Sequence, residues 1–169
     1  MNLRPGDIFL TNQGGFVSRA IVKVNRFWSL DGEAKYSHAG IIIGYGGETF
    51  ESRWKIGRYN MADFDGIPTL VARNKLMTAD RFERGAEQVM CYEGGTYPWW
   101  RIPLHLIPPL ARHNSTGRYL VCSEVVSKFL FYADLLGGDQ YKGWTPDNLN
   151  DMVVHWKDWE IISERKSNV

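Results

Sequence analysis

The chain has 169 residues, of which 44% are hydrophobic and 23% charged, and its 20 basic side chains against 19 acidic ones leave a net charge of +1. Those figures fit one folded domain spanning 1–169 and exclude a disordered chain. The charge balance offers no general attraction to phosphate, so no nucleic-acid partner is expected, and no apolar run approaches the length of an integral membrane segment.

From the N-terminus, Pro5-Gly6-Asp7 reads as a turn feeding a short buried strand at Ile8-Phe9-Leu10. Residues 16–28 place apolar side chains at 16, 17, 20, 21, 24, 27 and 28, one face of a helix with a polar reverse side. Ser37 to Tyr45 is a largely apolar run closed by Gly46-Gly47, the pattern of a central strand ending in a tight hairpin. Its partner is expected at 48–53, with Thr49 and Glu51 on one face and Phe50 and Ser52 on the other. Further strands are expected near 56–59 and 69–72, and a helix over 78–90 opened by Thr78-Ala79-Asp80. Between Gly94 and Leu110, Gly, Pro and Trp crowd together in an irregular segment. Residues 122–136 carry a strong helical stripe stopped by Gly137-Gly138. Thr145-Pro146 opens a capped turn or short helix, and 152–162 reads as a closing strand. Helices and strands mix without strict alternation, which favours an α+β fold.

Cys122 stands where a strand-like run gives way to a helix. Unpaired N–H groups and a positive dipole end at that position favour a thiolate and can hold an oxyanion. The bland alternative is a small buried hydrophobe on the inner stripe of its helix. Of four histidines, His38 lies at a strand end followed by the small Ala39-Gly40, where another element can come close. His105, His113 and His155 read as structural. A catalytic imidazole needs a third group on its other nitrogen, and Glu51, on the neighbouring strand, suits that role. The two are not directly opposite in a tight hairpin, so a bulge or a reach is required. Otherwise Glu51 is a solvated charge. Cys91, at the end of a helix, reads as packing. Two cysteines are too few for a disulfide framework or a thiolate zinc site, and no cofactor or metal is expected.

Taken together, Gly6-Asp7-Ile8, Ser37-His38-Ala39-Gly40-Ile41, Phe50-Glu51-Ser52, Cys122-Ser123-Glu124 and Thr145-Pro146-Asp147-Asn148-Leu149 resemble, in that order, the circularly permuted branch of the NlpC-type, papain-like superfamily. The resemblance covers residues 5–150. It implies a Cys122/His38 pair with Glu51 as third member, on an α+β fold built on a small antiparallel sheet or half-barrel with packed helices.

The expectation is therefore a cysteine hydrolase that cleaves an amide bond through an acyl-enzyme on Cys122, activated by His38. Its substrate would be a peptide or a peptidoglycan fragment. Second comes a lipid, acyl-ester or thioester hydrolase or acyltransferase of the same fold, acting on an acyl-lipid substrate. A third reading is an inactive module that binds through an aromatic groove. A metal hydrolase using His38, Glu51 and Asp7 lacks compact ligand spacing. Seven Trp residues are more than a core of this size requires, and Tyr97, Trp99 and Trp100 are expected to wall a substrate cleft, the bland alternative being a hydrophobic plug under a long loop. No signal peptide is visible, which points to the cytoplasm, or to a phage-borne protein or one delivered by a secretion or lysis system.

Overall fold

The computed structural model describes residues 2–27, 29, 32–98, 100, 120–137 and 142–165. Six strands form one sheet: β1 (Ile8–Thr11), β2 (His38–Ile42), β3 (Glu48–Ser52), β4 (Ile56–Asn60), β5 (Thr69–Asn74) and β6 (Trp159–Arg165), in the spatial order β4-β3-β2-β1-β5-β6. Every pairing is antiparallel. Among the described residues, four α-helices accompany the sheet: α1 (Gly15–Asn25), α2 (Ala79–Met90), α3 (Cys122–Tyr132) and α4 (Pro146–His155). The class is α+β, as composition and periodicity suggest.

β1 is an unbroken apolar run because both of its faces are covered. One face, with Ile8, Leu10, Ala39, Ile41, Phe50 and Leu70, packs against Val125, Val126 and Phe129 of α3. The other face holds a smaller cluster of Leu3, Phe9, Ile42, Phe64 and Val71, in which Phe64 comes from a 3-10 turn at Met61–Phe64. α2 and α3 approach closely at Gly85, where an added Cβ would lie 2.7 Å from the Phe129 carbonyl oxygen and meet its ring. Glycine costs helix stability, and here that cost is offset by burial of Phe129.

Helix ends follow local chemistry. Thr78 Oγ1 accepts the Arg81 N–H at 3.3 Å to cap α2. Thr145 Oγ1 accepts the Asn148 N–H at 3.2 Å, while Asn148 Oδ1 accepts the Thr145 N–H at 3.0 Å, with Pro146 in the first helical position. This reciprocal cap starts a helix long enough to take in Met152–His155, so the expected strand over 152–162 begins only at Trp159. Val153 and Val154 are good strand residues, and a well-capped helix start overrides them. α3 likewise stops before the Gly137-Gly138 pair. Asp134 takes φ 57°, the Asp134 N–H bonds the Phe131 carbonyl at 3.0 Å, and the Leu135 N–H bonds the Leu130 carbonyl at 2.9 Å. That is a Schellman ending with an aspartate where glycine is usual. Cys91, expected to pack, is exposed at the C-cap of α2.

Candidate active site

The register places Gly40 of β2 opposite Glu51 of β3. His38 is two residues further along the same face, so the pair meets diagonally and no bulge is needed. Gly40 makes that reach possible: a Cβ there would lie 2.4 Å from Cζ of Phe9 and 3.0 Å from Cβ of Glu51. Nε2–H of His38 donates to Oε2 of Glu51. The Thr49 hydroxyl donates to Oε1 at 2.8 Å, and Arg53 donates Nε–H to Oε2 at 3.0 Å and Nη2–H to Oε1 at 3.1 Å. Glu51 is fully buried with 0% exposure. It is not a solvated charge.

Arg53 was not singled out from the sequence. It follows Glu51 by two, the strand spacing that returns a side chain to the same face, and that was the available signal. Its Nη1 donates to Asp63 at 3.0 Å, and its guanidinium lies 4.5 Å from the ring centroids of both Tyr59 and Phe64. Burial pushes the Glu51 carboxyl up, but His38 and Arg53 outweigh it and hold the group below the usual carboxylate range.

With Nε2 committed to a carboxylate that can only accept, Nδ1 is the ring nitrogen left for a second partner. Cys122 lines the same cleft as the ring, and its interaction with the imidazole helps to raise the His38 pKa. Burial works to lower the His38 pKa. The Cys122 sulfur and the Glu51 carboxylate overcome it and push it up to about 9. The ring also sits 6.3 Å from Phe9 and 6.0 Å from Phe64, centroid to centroid, packing that fixes its plane.

Cys122 is the first residue of α3, and the N-cap residue is Val121. The Val121 N–H donates to Oε2 of Glu124 at 3.2 Å, but valine has no side-chain acceptor to return. An apolar N-cap forgoes about 1 kcal/mol of helix stability, and no N-cap side chain competes for the backbone N–H groups of the first turn. β3 and α3 are tied together where the Ser52 hydroxyl donates to the Leu120 carbonyl at 2.9 Å.

Cys122 and His38 open onto a cleft of about 190 Å³ whose walls include Val17 and Ile21 of α1, Ser52, Trp54 and Tyr97. Of the three aromatic residues expected there, Tyr97 lines the cleft. Trp100 is exposed and does not line it, the chain having turned its buried Pro98 inward. Trp99 lies outside the described residues, as do His105, His113 and the rest of 101–119. Trp54 is a wall that the sequence did not suggest. His155 ends α4 on the exposed side. Asp7 is not part of this site: its carboxylate takes Arg73 Nε–H at 2.7 Å and the Arg4 N–H at 2.8 Å.

No family model and no curated protein matches the chain. Among solved structures it is similar to the crystal structure of the metalloprotein yiiX from Escherichia coli O157:H7, DUF1105, with a TM-score of 0.63 and 14% sequence identity. The match covers 98% of this chain and 99% of that one. The two share a fold.

Proposed function

We propose that this chain is a cysteine hydrolase of the permuted papain-like, NlpC type, cleaving an amide bond of a peptide or peptidoglycan-type substrate. The supporting observation is the line of contacts from Arg53 through Glu51 and His38 to Cys122. In this reading Nδ1 takes the thiol proton and, with the His38 pKa raised to about 9, keeps it at neutral pH, while the carboxylate stays ionised behind the ring. Cys122 Sγ attacks the carbonyl carbon, and the tetrahedral oxyanion is held at the N-terminus of α3. His38, now imidazolium, gives its proton to the departing amine, leaving a thioester on Cys122. Water, deprotonated by His38, attacks that thioester; collapse of the second tetrahedral intermediate breaks the C–S bond and releases the acid, and His38 returns its proton to the Cys122 sulfur.

A second reading, an acyl-ester or thioester hydrolase or acyltransferase, draws support from the apolar walls Val17, Ile21 and Trp54. The first two steps are then the same, with an alcohol or thiol departing. A panel of matched amide, ester and thioester substrates separates the two: the amide reading expects turnover of all three, and the ester reading expects none of the amide. The intact set of side chains argues against an inactive binding module.

The yiiX structure is described as a metalloprotein, but the residues at this site do not suit a metal ion. Both Glu51 oxygens are occupied, and a guanidinium sits 3.0 Å from one of them. Among the described residues no group of three or more His, Cys, Asp or Glu is arranged to hold a metal. Turnover is expected to survive a chelator. Loss on chelation and recovery with added metal would contradict this reading.

A further inference from the structure

Between Asp7 and Asp31 the chain has no acidic residue, while Arg19, Lys23 and Arg26 are basic. At 100° per residue, Phe16, Val17, Val24 and Phe27 share one sector of α1 and its final turn, with the three cations in the sector beside it. Ser18 and Asn25 fall on the opposite side. A surface helix ordinarily turns its largest apolar side chains inward, but α1 leaves both of its rings in solvent, with Ala20, Ile21, Val22 and Val24 half-buried. Its buried residues are Ser18 and Asn25, whereas Phe16 is 88% and Phe27 80% exposed. The helix is pinned to the sheet by polar contacts, the Ser18 hydroxyl bonding both Ser37 and Asn12.

We propose that α1 docks the mouth of the cleft onto an anionic membrane surface. The charge pattern carries the choice of partner. Exposed rings beside a band of Lys and Arg, with no acid to repel phosphate headgroups, are the features of a helix lying in a lipid interface. A bilayer also requires no shape-matched groove. The surface is continuous with the site, because Val17 and Ile21 of the same helix wall the cleft that holds His38 and Cys122. Trp54, which also lines the cleft, is 75% exposed, and indoles favour the headgroup level. Among the described residues no helix is long and apolar enough to cross a membrane, so the contact is peripheral.

Sedimentation of the full chain with vesicles tests this without reference to the chemistry of Cys122. Phosphatidylcholine vesicles are compared with vesicles carrying about 30% phosphatidylserine. Binding is expected to be at least about tenfold tighter to the anionic vesicles, and weakened at about 0.5 M salt. Phe16→Ser with Phe27→Ser should reduce it about tenfold or more while leaving the melting temperature unchanged, since neither ring is buried. Arg19→Glu with Lys23→Glu should abolish the preference for anionic lipid. Cys122→Ser should bind as the unaltered chain does, whatever becomes of the proposed hydrolase activity. Equal binding to both vesicle types, or a double Phe variant that binds normally, overturns the proposal. So does a dimer in sedimentation velocity that the double Phe variant dissolves, with no vesicle binding, which would give this face to a second copy of the chain.

Discussion

Glu51 stays ionised in a fully buried position because His38 and Arg53 together hold its carboxylate, Arg53 through two parallel hydrogen bonds, a geometry that lysine cannot reproduce. Arg53→Lys should therefore impair the site nearly as much as Arg53→Ala. Both are expected to lower kcat and leave KM near its original value, because Arg53 acts through Glu51 and His38. Glu51→Gln can still accept from Nε2–H and should keep more activity than Glu51→Ala. A folded Glu51→Ala with ordinary kcat would remove Glu51 from the mechanism. pH gives a second handle. With the His38 pKa at about 9, activity should hold through neutral pH and fall as His38 loses its proton around pH 9. The same shift carries a stability effect. A histidine whose pKa is raised on folding contributes stability that is complete below the unfolded value of 6.5 and is lost as pH rises through about 9. Denaturation midpoints across that window should fall in the unaltered chain and flatten in His38→Ala, and an unchanged slope in the variant would assign the effect to another group.

At the scale of elements, the close approach at Gly40 joins fold to chemistry. Gly40→Ala must displace Phe9 or Glu51 and should cost about 1–3 kcal/mol as an overpacked core position. Its kcat should fall further than the stability loss explains, and a variant with normal stability and activity would show that the diagonal reach needs no glycine. Most elements were legible beforehand, because apolar runs bounded by Gly, Pro and capping residues mark strands and helices directly. The Cys122 and His38 positions were legible for the same reason, each standing at an element boundary. The features missed depend on long-range placement. Whether α1 shows its apolar sector to the core or to solvent depends on where the sheet ends, and helical periodicity cannot tell the two apart. Trp54 became a wall because the turn after β3 carries it to the cleft. Arg53 had a local signal in its spacing from Glu51, but its pairing with Asp63 and its place between Tyr59 and Phe64 come from the 3-10 turn and β4.

On the scale of the whole molecule, one six-stranded sheet carries a packed helical layer on one face, and the site lies at the end of that sheet, where β2 and β3 meet the start of α3. The 190 Å³ cleft is smaller than the roughly 300–1,000 Å³ typical of ligand pockets. On the proposed hydrolase reading it has room for the scissile group and a short flank, and the remainder of a substrate would lie along the rim. Trp54→Ala and Tyr97→Ala should therefore reduce kcat/KM for an extended substrate and leave turnover of a small activated ester nearly unchanged. Equal loss on both would place these rings in support of the fold and not of the substrate. The proposed nucleophile is tested most directly by mass spectrometry of the intact and digested chain, quenched during turnover of an activated acyl ester. The expected result is a single acyl adduct on the peptide containing Cys122, absent in Cys122→Ser and formed at least about 100-fold more slowly in His38→Ala. An adduct on Cys91 or elsewhere, or undiminished turnover by Cys122→Ser, would contradict it.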